Sequence, residues 1–333
     1  MLVFSTLIGI NMDYPYRLSV RWDLKASPND SVSQSHRPSP KSGTVILYDV
    51  TKPYSGNFRC IKTKTRPSTT VCLYSALQDI YISHDLETTG MWEPHVVADF
   101  LEVLRRDDAA AVIDIGANIG FYTLLAAKIG RRVIAVEPLV DSIYRIHRAA
   151  QMENVADRIS VVHNAVADVR MIATIRRTGD NQGDTRIELN YEPCIGACPP
   201  AVNTILLDDL LEIIQFQRAV MKIDIQGYEN RVFRQATTLF DKIDITYVFM
   251  EWILMKEHYI RANHTSSERS GVEETMRFFF HRDYRPYSLS ASGAKALDPD
   301  SWYTWPDDVV WQKLPNVEIE TEIVRNHFRN WPP

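Results

Sequence analysis

Apolar residues recur along the chain in two patterns, which predict alternating strands and helices. Continuous apolar runs such as "AVIDIG" (111–116) and "RVIAVEP" (132–138) are typical of strands buried on both faces of a sheet. Between these two runs, Phe121, Leu124 and Leu125 follow helical spacing. Three later runs predict further strands: "ISVVHNAVAD" (159–168), "AVMKIDIQG" (219–227) and "ITYVFMEW" (245–252).

The segments between and after these strands complete an α/β pattern. Strict alternation of strand and helix predicts a mainly parallel sheet with helices on both faces. Two late strands follow the last helix, at "RPYSL" (285–289) and "DVVWQKL" (308–314). The predicted helices are "LVDSIYRIHRAAQME" (139–153), "TILLDDLLEII" (204–214), "YENRVFRQATTLF" (228–240) and "GVEETMRFFFHRDY" (271–284).

The chain before this pattern divides into two parts. Residues 26–43 are rich in Ser and Pro, so we expect residues 1–43 to be an N-terminal segment that is partly a disordered linker. Residues 44–109 are predicted to form an extension that flanks or covers the main domain, 110–333. Its predicted elements are strands at "TVILYDV" (44–50) and "DIYIS" (79–83) and a helix at "PHVVADFLEVLRR" (94–106).

One irregular span, 176–202, interrupts the main domain. It is too long for an ordinary connection, so we interpret it as a mobile loop or as part of a substrate site.

Composition narrows the classes of partner. The 37 basic and 42 acidic residues nearly balance, so charge gives no support for a nucleic-acid partner. No apolar run approaches the length of a membrane span. The N-terminal "MLVFSTLIGI" lacks a basic region and a small-residue cleavage site, which argues against a signal peptide.

The four cysteines leave the compartment open. Neither the pair Cys60 and Cys72 nor the pair Cys194 and Cys198 has histidines at zinc-finger spacing, so we predict no metal site. The even count permits two disulfides, and two glycosylation sequons, at 29–31 and 263–265, fit a secretory route. The alternative is a cytoplasmic protein with free thiols.

A glycine turn follows the first core strand, in "DIGANIG" (114–120). A dinucleotide fingerprint needs a second glycine two positions after Gly116, where this chain has Asn118. The turn therefore fits a ligand that lies along it and meets the backbone amides and Asp114. The alternative is a tight turn that binds nothing.

An acidic residue at the end of the second strand strengthens the ligand interpretation. Glu137 lies 21 residues after Gly116, where a carboxylate can accept both hydroxyls of a ribose. NAD and S-adenosylmethionine both contain such a ribose, so Glu137 does not distinguish them.

Five ordered blocks resemble the FkbM-type S-adenosylmethionine-dependent methyltransferases, over about residues 112–283. Gln226 stands where the family motif "K-[IM]-D-[VI]-E-G-x-E" has its first Glu. The resemblance implies an α/β class I methyltransferase (Rossmann-like) fold, with a mainly parallel seven-stranded sheet and one antiparallel strand near the C-terminus. The blocks are "VIDIGANIGFYTLLAAK", "VIAVEP", "HNAVAD", "NTILLDDLL" and "MKIDIQGYENRVF".

The resemblance also implies roles for individual residues. Glu137 would hold the cofactor's ribose, and Asp224 would face the site of methyl transfer; the alternative for Asp224 is a turn carboxylate. Independently of the resemblance, Glu251 ends the fifth strand, and because strand ends line the same crevice it either reaches the acceptor or caps a helix. The methionine end of the cofactor would meet Asp114, Gly116, Asn118 and Gly120, and the adenine would lie near Asn164 and Ala165.

These features predict an S-adenosyl-L-methionine-dependent methyltransferase that acts on a hydroxyl of a small molecule or sugar. The oxygen acceptor is implied by the resemblance alone. The alternatives are a non-catalytic binding module on the same fold and an NAD(P)-dependent oxidoreductase. Neither the acceptor's identity nor the oligomeric state follows from the sequence.

Overall fold

A computed structural model describes residues 43–178, 181–189, 200–261, 266–289 and 294–315. These residues belong to one compact unit, Pro40–Pro333. Nearly all of the predicted N-terminal segment 1–43 lies outside the described residues. The sequon asparagines Asn29 and Asn263 and the cysteines Cys194 and Cys198 lie outside them as well.

The described strands fall into three sheets. In chain order the strands are β1 (Leu47–Tyr48), β2 (Cys60–Lys62), β3 (Thr70–Cys72), β4 (Ala111–Ile115), β5 (Val133–Val136), β6 (Ile159–Val162), β7 (Ala165–Val166), β8 (Ile172–Thr178), β9 (Asn181–Glu188), β10 (Ala201–Ile205), β11 (Arg218–Ile223), β12 (Asp244–Glu251), β13 (Tyr284–Ser288), β14 (Lys295–Ala296) and β15 (Asp308–Lys313).

Helices fill the connections between the main strands. The described α-helices are α1 (Ile82–Thr89), α2 (Pro94–Arg106), α3 (Phe121–Lys128), α4 (Val140–Glu153), α5 (Glu229–Val232), α6 (Thr237–Lys242), α7 (Ile253–Arg261) and α8 (Ser266–Phe280).

The central part of the large sheet has the strand order β6-β5-β4-β11-β12-β15-β13. The pairs from β6 to β12 are parallel, and β15 runs antiparallel to both of its neighbours, β12 and β13. The predicted single antiparallel strand near the C-terminus is therefore confirmed, and it is β15. The sheet has nine strands rather than the predicted seven, because the two-residue strands β1 and β14 extend its edges.

Alternate residues of the central strands enter two different cores, as expected for a sheet covered on both faces. Val112 packs with the residues of α2, α3 and α4, whereas its neighbours Ile113 and Ile115 pack with those of α6 and α8. Both faces of β4 are therefore covered by helices, which explains its uninterrupted run of buried residues.

Two segments differ from the sequence prediction. The "DIYIS" segment was expected to be a strand, but it enters α1 because the Asp79 carboxylate accepts the amides of Ile82 and Ser83 at the start of that helix. The "TILLDDLLEII" segment begins in β10 and continues as the 3₁₀ helix Leu207–Glu212 rather than as an α-helix. Within this 3₁₀ helix, the Asp208 carboxylate accepts the amide of Leu239 and so caps α6.

Three further spans are divided more finely than predicted. The "YENRVFRQATTLF" segment forms α5, a 3₁₀ turn and α6 in succession. The span 176–202 is not simply irregular: its first part lies in the antiparallel hairpin β8–β9, and its last two residues begin β10. Likewise "ISVVHNAVAD" forms β6 in the central sheet and β7 in a smaller sheet.

The extension before β4 is cross-linked by a disulfide and joined to α4 by polar contacts. Cys60 and Cys72 lie opposite each other in the β2–β3 hairpin and form a disulfide. The Glu153 carboxylate at the end of α4 accepts the Thr70 amide at 2.8 Å and also pairs with Lys62. Among the described residues, none of the helices has the length and apolar character needed to cross a membrane.

Candidate active site

A cavity of about 640 Å³ opens at the carboxyl ends of β4, β5, β11 and β12. This is the edge at which open α/β sheets bind their ligands. The extension contributes Trp92 and Glu93 to its wall, and the β8–β9 hairpin contributes Arg186. Eight of the nine predicted site residues line the cavity: Asp114, Gly116, Asn118, Glu137, Asn164, Ala165, Asp224 and Glu251.

The turn after β4 requires glycine at its first position. Gly116 has a φ of +80°, and an added Cβ would lie 1.9 Å from the backbone oxygen of Asp224. The amides of Gly116 and Ala117 both donate to the Val136 carbonyl, at 2.9 and 3.0 Å. The turn is therefore pinned between the ends of β5 and β11, with its remaining polar groups near the cavity.

Gly120 was predicted to meet the methionine end of the cofactor, but it does not line the cavity. It is the N-terminal cap of α3, with a φ of +82°. An added Cβ there would lie 2.7 Å from Cγ1 of Ile146 on α4. Glycine at this position therefore allows the left-handed turn and lets α3 pack closely against α4.

Glu137 is held in place by two backbone amides. Its Oε2 accepts the amide of Asn118 at 2.7 Å, and its Oε1 accepts the amide of Leu139 at 2.8 Å. The residue is only 5% exposed, and this burial raises the pKa of its carboxyl group to about 7 against the lowering effect of the two hydrogen bonds. Each carboxylate oxygen keeps a second lone pair, so the two oxygens together can still accept hydrogen bonds from two hydroxyls.

Asn118 carries an acceptor that the described residues leave without a donor. Its backbone is left-handed, with a φ of +50°, and its side-chain Oδ1 is buried without a hydrogen-bond partner. A buried polar atom of this kind costs free energy unless a ligand or water satisfies it. Asn118 and Glu137 both line the cavity, so they fit a ligand that brings several hydrogen-bond donors, such as a ribose or an ammonium group.

Asp114 and Asn164 are occupied by contacts within the protein. Asp114 accepts the Thr123 hydroxyl at 2.5 Å, and burial raises the pKa of the Asp114 carboxyl group to about 6. The amide nitrogen of Asn164 donates to the carbonyls of Thr44 and Asn203, each at 3.1 Å. The side chain of Asn164 therefore joins the extension to the sheet. It lines the cavity and contributes to its shape, while its amide nitrogen is used within the protein.

A buried lysine compensates a group of carboxylates at the ends of β11 and β12. Lys222 is 3% exposed, and its Nζ lies 3.9 Å from Oδ2 of Asp224. Burial opposes its charge, but Asp224 and the neighbouring carboxylates outweigh that cost and raise the pKa of Lys222 above its usual value. Lys222 is therefore paired with a carboxylate, as a buried lysine requires.

Glu229 and Glu251 add two further carboxyl groups beside Asp224. One oxygen from each of the three residues lies within 4.8 Å of the others. Burial raises the pKa of Glu229 to about 7; burial and the charges of Asp224 and Glu229 raise that of Glu251 to about 10. Three carboxylate oxygens of this kind suit a hard divalent cation, although the sequence analysis predicts no metal site. Here, however, Lys222 already supplies a positive charge.

Sequence reasoning missed three polar residues at this site. Tyr122 donates from its hydroxyl to Oε2 of Glu93 at 2.5 Å, and both residues line the cavity. Asp308 on β15 lies opposite Glu251 in the strand register and 3.5 Å from the His95 ring. These residues come from the extension, from α3 and from the last strand, so no local spacing connects them.

The cavity combines an acidic interior with an apolar wall. Its carboxyl groups outnumber Lys222 and Arg186, the two basic side chains in its lining. The apolar part of the lining includes Tyr81, Ile82, Trp92, Ile253 and Leu254. Such a surface favours uncharged or cationic ligands over anionic ones.

Several solved structures resemble the chain with low sequence identity. A putative O-methyltransferase from Klebsiella pneumoniae is 9% identical over 72% of this chain and 98% of its own, with a TM-score of 0.38. The O-methyltransferase TomG from Streptomyces achromogenes, solved with SAM, is 10% identical over 74% and 92%, with a TM-score of 0.40. An rRNA methylase from Streptococcus thermophilus is 9% identical over 68% and 99%, with a TM-score of 0.37.

The family assignment depends on a sequence model rather than on these low-scoring structures. No curated protein matches the chain in sequence. The model of the methyltransferase FkbM domain matches residues 114–286, just over half of the chain, and spans β4 to β13. This match confirms the resemblance predicted from the five sequence blocks, and the chain belongs to the FkbM methyltransferase domain family.

Proposed function

We propose that the protein transfers a methyl group from S-adenosyl-L-methionine to a hydroxyl oxygen of an uncharged small molecule or sugar. The observation that carries this proposal is the pairing of Glu137 with the Asn118 turn at the strand ends. Family membership supports methyl transfer in general. The acidic lining supports an acceptor without phosphate or carboxylate groups.

The cofactor would be held by groups that already have the right chemistry. Glu137 would accept the ribose hydroxyls, and Oδ1 of Asn118 would accept a donor that the described protein does not supply. Bound S-adenosylmethionine supplies an electrophilic methyl group on a positively charged sulfur. Asp114, Asp224 and the other acidic groups of the cavity favour such a cation electrostatically.

The other residues of the cavity would orient the acceptor. Asp224 is fixed by the amide of Gln226, which donates to its Oδ1 at 2.9 Å, and by Lys222. It would accept a hydrogen bond from a group of the acceptor other than the reacting hydroxyl, and so orient the acceptor for attack. Glu251 keeps its proton at neutral pH because of its raised pKa, so it would act as a hydrogen-bond donor.

The experiment for this proposal is incubation of the purified protein with methyl-labelled S-adenosylmethionine and a cell extract. We expect label in an extract component and identify its position by mass spectrometry. Glu137→Ala serves as the inactive control, since it removes both amide-anchored oxygens. No labelled product despite cofactor binding would favour a non-catalytic module, and label on nitrogen or carbon would contradict the hydroxyl acceptor.

A further inference from the structure

Glu93 has a backbone conformation that the local sequence disfavours. Its φ of +42° and ψ of +58° are left-handed, although it precedes Pro94, which favours extended backbone. A non-glycine residue in this region costs roughly 1 kcal/mol. Such unfavourable conformations persist where the surrounding structure holds the residue for a purpose.

The side chain of Glu93 does not perform the ordinary task of its position. It is the N-terminal cap of α2, yet it makes no capping hydrogen bond to that helix. It lines the cavity instead, where the Tyr122 hydroxyl holds Oε2 at 2.5 Å. Among the described residues no other donor bonds this carboxylate, so Oε1 is available to a ligand.

We propose that Glu93 is the general base that takes the proton from the acceptor hydroxyl, a role that rests on the proposed methyl transfer. The acceptor oxygen forms its bond to the methyl carbon while the carbon–sulfur bond breaks. The electron pair of that bond stays on sulfur, and the hydroxyl proton passes to the Glu93 carboxylate. The products are a methyl ether, a neutral thioether and a protonated Glu93.

The charges around Glu93 suit this task. The pKa of its carboxyl group is raised to about 7, because burial and the charges of Asp308 and Asp224 together outweigh the lowering effect of Lys222 and the Tyr122 hydrogen bond. His95, in the first turn of α2, lies 3.5 Å from Asp308. A base is most effective when its pKa lies near the working pH, which favours Glu93 over Glu251, whose pKa is raised to about 10.

The proposal also gives the extension a function. Glu93, Trp92 and Tyr81 reach the cavity from outside the matched family region, residues 114–286. Residues 44–109 would then supply the proton acceptor, while the family core supplies the cofactor site.

The experiment compares Glu93→Gln with Glu102→Gln, an exposed change of the same kind on the same helix. Labelled methyl transfer to the extract acceptor is measured from about pH 5 to pH 9 at saturating S-adenosylmethionine. We expect Glu93→Gln to bind the cofactor like the wild type but to transfer methyl about 10²- to 10⁴-fold more slowly at alkaline pH. The rise in rate through about pH 7 should be lost in Glu93→Gln and kept in Glu102→Gln.

Transfer by Glu93→Gln with the wild-type rate and pH profile would overturn the role of Glu93. Failure of the wild type to bind S-adenosylmethionine would instead overturn the proposed function. A titration of ¹³C-labelled glutamate by NMR needs no acceptor and no folded variant: the Glu93 signal should titrate near pH 7. A midpoint near the ordinary value of about 4.3 would count against the base.

Discussion

The substitution Gly116→Ala tests how tightly the turn after β4 is constrained. The added Cβ would lie 1.9 Å from the Asp224 carbonyl oxygen, well inside contact distance. That carbonyl cannot easily move, because the Asp224 amide donates to the Ile115 carbonyl at 3.0 Å and fixes the end of β11 against β4. The substitution must therefore distort the cavity as well as the turn.

Gly130→Ala is the matched control for the conformational part of the cost. Gly130 has a φ of +89°, similar to that of Gly116, but an added Cβ there would meet nothing within 4 Å. We expect Gly130→Ala to lower the free energy of unfolding by about 1–2 kcal/mol from left-handed strain alone. In Gly116→Ala the steric overlap costs about 1–3 kcal/mol in addition, so the free energy of unfolding should fall by about 2–5 kcal/mol in total.

Thermal unfolding followed by circular dichroism measures this difference. At about 2 °C per kcal/mol for a chain of this size, Gly130→Ala should lower the melting temperature by about 2–4 °C and Gly116→Ala by about 4–10 °C. Calorimetry below both transitions should show weakened S-adenosylmethionine binding for Gly116→Ala alone. Equal losses of stability, or unchanged cofactor binding by Gly116→Ala, would refute the reasoning.

Three further changes follow from buried charges and the disulfide. Lys222→Met should destabilise the protein by about 3–5 kcal/mol at pH 8, and less at pH 5 where its carboxyl neighbours gain protons, as measured by urea unfolding at both values. The pKa of Glu229 is raised to about 7 on folding, so its contribution to stability is full below about pH 4.5 and is lost as pH rises through 7. Glu229→Gln should therefore gain about 1–3 kcal/mol relative to wild type between pH 5 and pH 8; an unchanged pH slope of the unfolding free energy would contradict this. Opening the Cys60–Cys72 bridge, by the double serine variant, should cost about 3 kcal/mol for its short loop, and a melting temperature insensitive to reductant in the wild type would argue against that bond.

Much of the fold was predictable because its strands and helices carry strong local signals. β4 and β5 are fully buried and apolar except for Asp114, and α2 occupies the same residues that its helical spacing indicates, Pro94–Arg106. The "DIYIS" segment misled because its apolar alternation resembles a strand. A single capping carboxylate, Asp79, outweighs that pattern.

The cofactor side of the site was also predictable, because strand ends and a glycine turn are local features. The acceptor side was not, since it depends on which distant segments meet. Asp308 reaches the site only because β15 pairs antiparallel with β12, which places it opposite Glu251. Glu93 depends on a left-handed backbone before Pro94, for which sequence alone gives no signal.

Isothermal titration of the purified protein with S-adenosyl-L-methionine, beside Glu137→Ala and Glu102→Gln, is the most direct test of the central claim. That claim is that the Asn118 turn and Glu137 together hold a sulfonium nucleoside. We predict saturable one-to-one binding by wild type and Glu102→Gln and a loss of most affinity in Glu137→Ala, whose two amide partners would be left without acceptors. Absence of binding by the folded wild type, or undiminished binding by Glu137→Ala, would contradict it.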